Sequence, residues 1–221
     1  ITGAPGVCQS TRGPGVANMV NGIAHAALDR APLIAITDRY SAPEQETGLR
    51  QKIDHRAMLA PVVKWGTTID AKVVRTQVAR AMRTATAPAP GPVQFDLPQS
   101  ETKKDAGALA AVPATMPNLH MPAPAPQEVE RIARRIGHAR KPILLAGLGT
   151  FWDRASTELV ALAERLGAPV LTTSKVKGAI PEDHPLRAGC IIGGLIERKL
   201  VSQSDLIVTV GLDGVELQPK P

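Results

Sequence analysis

Aromatic side chains are scarce in this chain, which has two tryptophans, two phenylalanines and one tyrosine in 221 residues. So small an inventory leaves little for base stacking. A net charge of +6 and a pI near 9.6 therefore do not make nucleic acid the expected partner, since the Lys and Arg residues are scattered and densest only at Arg131, Arg134, Arg135, Arg140 and Lys141. Cysteine is almost as rare. Cys8 and Cys190 lie far apart with no CxxC or Cys/His cluster, which excludes a disulfide framework and a zinc site and fits a reducing, cytoplasmic setting. No apolar run approaches the roughly 20 residues that span a bilayer, so no membrane partner is expected. The first residues, Ile1-Thr-Gly-Ala-Pro-Gly6, have neither an initiator Met nor a charged segment leading into an apolar one. They read as an internal cut and not as a signal peptide.

Glycine (19) and proline (20) are plentiful, and 43% of the residues are hydrophobic, enough to bury a core. Residues 1–100 alternate helical and strand patterns. An Ala-rich helix spans 16–28, a short apolar strand 32–37, a helix with Val74, Val78, Ala81, Met82 and Ala85 at helical spacing 70–87, and a strand 93–97. Residues 101–126 change to Ala, Pro and charge, with prolines at 113, 117, 122, 124 and 126, and read as a partly extended linker. A second alternating run fills 127–221, with a helix from Gln127, a strand over 142–146, a turn at 147–149, a helix over 156–166, and strands over 169–172 and 205–210. Strands separated by helices predict α/β domains of three layers with parallel sheets. The chain stops at Pro221 just after a strand, which reads as truncation at that end too.

The most suggestive local motif is Thr11-Arg-Gly-Pro-Gly-Val-Ala-Asn18, between a strand from Val7 and the first helix. Glycines there let backbone approach a ligand, and uncapped N–H groups at a helix start favour anions, so a phosphate loop is one reading. A tight strand-to-helix turn is the other. No Ser/His/Asp or Cys/His arrangement carries supporting motif context, so hydrolase chemistry is not expected. His25 and His55 read as hydrogen-bonded structural or surface residues, and His184, within Glu-Asp-His-Pro, as shaping a loop.

The motifs also occur in a familiar order. Cys8-Gln-Ser-Thr-Arg-Gly-Pro-Gly-Val-Ala-Asn18, Asn21-Gly-Ile-Ala-His25, Pro32-Leu-Ile-Ala-Ile-Thr37, Gln51-Lys-Ile-Asp-His55 and Ala60-Pro-Val-Val-Lys-Trp65 together resemble the pyrimidine-binding domain of thiamine diphosphate-dependent enzymes of the acetolactate synthase kind. Lys141-Pro-Ile-Leu-Leu-Ala-Gly-Leu-Gly149, Leu162-Ala-Glu-Arg-Leu-Gly-Ala-Pro-Val-Leu-Thr-Thr173, Lys177-Gly-Ala-Ile-Pro-Glu-Asp-His-Pro-Leu186 and Asp205-Leu-Ile-Val-Thr-Val-Gly211 resemble the Rossmann-like central domain of the same family.

The resemblance implies that 1–100 is the C-terminal part of a pyrimidine-binding domain and 127–221 a central domain, cut short. It implies thiamine diphosphate and Mg²⁺ as cofactors and a 2-keto acid or acyl substrate. The cofactor supplies the carbon that adds to that substrate. The turn Gly13-Pro14-Gly15 would then meet the aminopyrimidine ring and not a phosphate, with Asn18 lining the same pocket. Gln51 matches the glutamine of the family's Phe-Gln-Glu segment near the reacting carbon, although Arg50 and Lys52 replace its aromatic and acidic neighbours. Lys64 matches a lysine near a substrate channel, a solvated surface lysine being the plainer reading. Gly147 and Gly149 match the turn where flavin-binding members approach FAD, without a full GxGxxG. No catalytic residue is carried over, because the family's glutamate precedes the stretch that opens at Ile1. The Mg²⁺-binding Gly-Asp-Gly...Asn segment belongs to a third domain. The expectation is an inactive piece of a transferase or lyase that forms a homodimer or homotetramer, its Ala-rich helices suiting subunit contacts. The rival reading is a non-catalytic FAD-, NAD- or CoA-binding module.

Overall fold

A computed structural model describes residues 4–105, 107 and 123–217. Backbone contacts divide the chain into two units, residues 1–121 and 122–221.

Among the described residues the first unit has four strands, β1 (Gly6–Ser10), β2 (Leu33–Arg39), β3 (Trp65–Thr68) and β4 (Pro92–Pro98), all parallel in the order β1-β2-β4-β3. Helices α1 (Pro14–Leu28), α2 (Ala42–Thr47), α3 (His55–Leu59) and α4 (Val74–Thr86) connect them, and α5 (Gln99–Thr102) follows β4. Parallel strands need such crossovers, which cover both faces and leave the central strands buried. On one face Ile34, Val93 and Phe95 pack with Ala81 and Ala85 of α4. On the other, Ala35 packs with Val16 and Ile23 of α1 and Leu59 of α3. Burying each of these larger side chains contributes about 1.5–3 kcal/mol. Trp65 meets Phe95 edge-on, with centroids 5.9 Å apart, and the Arg80 guanidinium lies 4.6 Å over the Trp65 ring.

Helix α1 starts at Pro14, two residues before the expected Val16, because the Gly-Pro step itself opens it. Gly13 precedes it at φ 62°, Pro14 takes the first helical position, and the helix ends before Arg30, itself at φ 54°. Strand β3 has no signal comparable to those of the strands anticipated above. Its four residues include Gly66, where a Cβ would come within 2.8 Å of Gln94 Oε1, so tertiary packing and not local pattern sets it.

In the second unit α6 (Pro126–His138), β5 (Pro142–Ala146), α7 (Leu148–Trp152), α8 (Ser156–Leu166), β6 (Val170–Thr172), β7 (Arg187–Cys190), α9 (Leu195–Gln203) and β8 (Leu206–Val210) form a parallel sheet ordered β7-β6-β5-β8. Leu144, Ala146 and Val170 pack with Leu159 and Ala163 of α8 on one face. Ile143, Leu145 and Leu171 pack with Leu200 and Leu212 on the other. Gly167, left-handed at φ 59°, closes α8. The Asp205 carboxylate accepts from the backbone N–H groups of Arg140 and Lys141, tying the starts of β5 and β8 and holding its own pKa below the usual carboxylate range. Phe151 and Trp152 meet edge-on at 5.1 Å.

Three expectations change. The turn foreseen at 147–149 is the cap and first residues of a helix, α7. The linker foreseen over 101–126 begins inside α5 and reaches the first residue of α6, and its residues 106 and 108–122 lie outside the described residues. The short segments α2, α3, β3, β7 and α9 were absent from the sequence reading.

Candidate functional site

The parallel strands of the first unit bring their carboxyl ends to one edge of the sheet, where α/β folds place ligands. There the loop after β1, the end of β2, residues 51–55 and the end of β4 converge on a cavity of ≈ 220 Å³ lined by Arg12, Arg39, Tyr40, Gln51, His55 and Asp96, among others.

Gly13 sits at φ 62° and ψ −111°, and a Cβ there would lie 2.5 Å from the Gln51 carbonyl oxygen and 2.9 Å from Gln51 Cβ. Gln51 is itself left-handed, at φ 59°. Two loops are therefore pressed together at a point where only glycine fits. The Gly13 N–H donates to His55 Nε2 at 2.9 Å. An amide can only donate, so Nε2 carries the lone pair and Nδ1 the proton, which faces Asp96 Oδ1 at 3.3 Å.

Asp96 is buried, at 1% exposure, and its Oδ1 also accepts from the Thr37 hydroxyl (2.8 Å) and Gln94 Nε2 (2.9 Å). Arg39 donates to Oδ2 at 3.0 Å. Burial alone would raise the carboxyl pKa, but hydrogen bonds from His55 and Thr37 and the Arg39 charge outweigh it and hold Asp96 below the usual range. At the rim, Arg12 pairs with Asp38 at 2.8 Å and lies 4.0 Å over the Tyr40 ring. The Tyr40 hydroxyl donates to the Arg50 carbonyl at 2.7 Å and the Lys52 ammonium to the Gln45 carbonyl, which ties the Arg50 backbone and the Lys52 side chain into the loop.

Of the residues singled out from sequence, Gly13 and Gln51 are brought into contact. Pro14 and Asn18 lie one turn apart on the exposed side of α1, next to Gly13. Gly15 leaves room for Thr11, whose Cγ2 would lie 2.7 Å from an added Cβ. Lys64 is elsewhere. It precedes β3 at the opposite end of the sheet, and its ammonium donates to the Ala87 and Ala89 carbonyls, each at 2.9 Å, fastening the end of α4. Burial and the neighbouring Arg30 lower its pKa. The exposed His25 has its Nε2 2.9 Å from Asp29 Oδ2 one turn on, and His184 accepts the Leu186 N–H in its loop.

The sequence reading missed Arg12, Arg39 and Asp96, and treated His55 as incidental. A signal was available in β4, where Gln94 and Asp96 place two polar side chains on one face of a strand that the fold covers on both sides.

The chain matches the family model for the N-terminal TPP binding domain of thiamine pyrophosphate enzymes over residues 1–58, and that for their central domain over residues 129–218. The chain belongs to the thiamine pyrophosphate enzyme family. It is 32% identical over 215 residues to the acetolactate synthase large subunit of Corynebacterium glutamicum, a match covering 96% of this chain and 34% of that protein. Among solved structures it resembles a Mycobacterium smegmatis protein taken to be a thiamin diphosphate-dependent enzyme, with a TM-score of 0.84, 28% identity, and 99% and 42% of the two chains covered. It also resembles the benzoylformate decarboxylase of Polynucleobacter necessarius, with a TM-score of 0.81, 27% identity and coverages of 94% and 39%. The chain thus spans about a third of the length of the curated thiamine pyrophosphate enzymes it matches.

The residues of the first unit fit the pyrimidine side of the cofactor this family implies. Gly13 and Gly15 keep the turn free of side chains, the first turn of α1 has no side-chain cap, and the Ser10 hydroxyl at the end of β1 is buried without a protein partner. The glycines of the second unit are likewise seated against the chain itself. A Cβ on Gly147 would lie 2.5 Å from Leu212 Cα, and one on Gly149 2.8 Å from Gly211 Cα. The Glu216 carboxylate accepts from the Leu148 N–H at 2.8 Å and from the Thr173 hydroxyl, so this turn is packed against the chain's own backbone and carboxylate. No group of three His, Cys, Asp or Glu residues able to hold a metal ion occurs among the described residues. No described helix is long and apolar enough to cross a membrane.

Proposed function

We propose that this chain provides the aminopyrimidine-binding surface and the central domain of a cytoplasmic, homo-oligomeric enzyme that uses thiamine diphosphate and Mg²⁺ on 2-keto acids or related acyl donors. The observation that carries this reading is the Gly13-Pro14-Gly15 turn, seated against Gln51 with Pro14 exposed, within the unit that matches the N-terminal TPP binding domain. Thiamine diphosphate would supply the nucleophilic carbon and the electron sink for decarboxylation or C–C bond formation.

The chain's own contribution is placement. The turn gives a flat ring backbone contact, Pro14 stiffens it, and Asn18 offers amide hydrogen bonding one helical turn further on. Arg12, Arg39 and Lys52 line the cavity. Arg12 and Arg39 are each paired with a carboxylate, whereas Lys52 has no acidic partner among the described residues and could meet the carboxylate of a 2-keto acid.

Calorimetric titration of the protein with thiamine diphosphate plus Mg²⁺, and separately with FAD, NAD and CoA, tests the cofactor. Product analysis with pyruvate then separates carboligation to acetolactate from simple decarboxylation. Binding of thiamine diphosphate and turnover of a 2-keto acid are expected of the whole enzyme to which this stretch contributes, and no turnover of this stretch by itself. Binding of a nucleotide with none of thiamine diphosphate would overturn the reading in favour of a non-catalytic nucleotide-binding module.

A further inference from the structure

We propose that His55 is a positioning residue of the cofactor-facing turn, holding Gly13 through its Nε2 lone pair in a tautomer that Asp96 imposes. The part of this that concerns the cofactor rests on the function proposed above. The part that concerns the turn does not.

Both ring nitrogens of His55 are committed, Nε2 to the Gly13 N–H at 2.9 Å and Nδ1 to Asp96 Oδ1 at 3.3 Å, and the residue is only 5% exposed. An imidazole so engaged has no free nitrogen with which to shuttle protons, so its role is geometric. Gly13 needs such a restraint. Its contact Gln51 is left-handed at φ 59°, a conformation that a residue with a side chain keeps only where the surroundings over-determine it.

The segment 51–55 touches Gly13 twice, through the Gln51 backbone and through the His55 ring. Its own end is anchored, since Asp54 caps α3 by accepting from the Ala57 N–H at 3.0 Å and Leu59 is fully buried. The ring is thus held from α3, aimed by Asp96 on β4, and turned onto the loop after β1. Moving the imidazole would release Gly13 toward the ring-binding face formed with Pro14 and Asn18.

Asp96 determines which nitrogen carries the proton. Its Oδ1 takes three donors (Thr37, Gln94 and His55), whereas Oδ2 faces Arg39. In D96N the amide oxygen is expected to keep the three-donor position and turn its NH₂ toward Arg39. That substitution should leave the His55 tautomer, and the Gly13 bond, in place. Removing the acceptor with H55L should not. H55Q can return an acceptor oxygen near the position of Nε2 and rescue the bond.

The test uses the full chain and three readouts: ¹⁵N resonances of the His55 ring, hydrogen exchange of the Gly13 amide, and the dissociation constant for thiamine diphosphate with Mg²⁺. In the wild type the ring should be the Nδ1–H tautomer. H55L should accelerate Gly13 exchange about tenfold or more and weaken cofactor binding about fivefold to tenfold, the effect of one lost hydrogen bond. H55Q should recover most of both, and D96N should keep Gly13 protected.

A wild-type Nε2–H tautomer would overturn the proposal, as would unchanged Gly13 exchange in a folded H55L. Should H55L not fold, the wild-type tautomer and the protection of Gly13 in H55Q decide. Absence of cofactor binding in the wild type would count against the proposed function alone, with tautomer and exchange still judging the clamp.

Discussion

Replacing Gly13 with alanine should be among the most damaging single-methyl changes available in the first unit. Gly13 has φ 62° and ψ −111°, a combination outside the regions open to L-residues. Forcing alanine into it costs about 1–3 kcal/mol. The new Cβ would also lie 2.5 Å from the Gln51 carbonyl oxygen and 3.0 Å from its carbonyl carbon, both backbone atoms that cannot rotate aside. Overpacking of that kind adds about 1–3 kcal/mol, so a loss of about 3 kcal/mol or more is expected. With a urea dependence of about 2 kcal/mol per molar, the midpoint of the first unit should fall by about 1.5 M. Gly22 is the internal control, because it lies on the exposed side of α1 and an added Cβ meets nothing within 4 Å. Gly22→Ala should raise stability by about 0.5–1 kcal/mol through helix propensity. Urea unfolding of the two variants beside the wild type makes the comparison. A Gly13→Ala midpoint within about 0.3 M of the wild type would refute the claim that the Gln51 loop is rigidly seated there.

Asp96 has a lowered folded pKa, so its contribution to stability is fully present above the ordinary carboxyl value of about 3.9 and is lost as pH falls through the folded value. Urea midpoints should therefore drop more steeply below pH 4 in the wild type than in Asp96→Asn, and parallel curves would contradict the assigned hydrogen bonds. Lys64→Met should cost about 1 kcal/mol by freeing the Ala87 and Ala89 carbonyls, and calorimetry should find thiamine diphosphate affinity unchanged. A fall in affinity without loss of stability would instead return Lys64 to the ligand path. Ser10→Ala removes a buried hydroxyl with no protein partner, so stability should hold or rise slightly while cofactor binding weakens about threefold to tenfold. Unchanged affinity would remove Ser10 from the cofactor-facing surface.

Periodicity carried the long elements. Strand β5 and helix α8 fall at the residues their apolar spacing indicates, because each is a full apolar run or a full amphipathic helix whose partners only confirm a local preference. Strand β3 and helix α3 are too short for that, at four and five residues. Tertiary contacts hold them: Gly66 under the Gln94 amide, Leu59 against α1.

The site divides along the same line. Motif order brought out Gly13 and Gln51, but their contact depends on a left-handed glutamine that no pattern announces. His55 and Asp96, 41 residues apart, are joined only by the parallel crossover that sets β4 beside β2. At Gly147 and Gly149 no pattern announces that the missing side chains admit Gly211 and Leu212 after β8, a contact made by residues about 60 positions away.

The two tryptophans have an experimental consequence. The chain has only two, Trp65 in the first unit and Trp152 in the second. Trp65 lies beneath the Arg80 guanidinium and against Phe95, while Trp152 has an indole N–H that is buried without a partner among the described residues. Each unit thus contains one tryptophan in its own electrostatic setting. Trp65→Phe and Trp152→Phe variants turn a single emission trace into two, so ligand binding or melting can be assigned to one unit without labels, cleavage or separate expression.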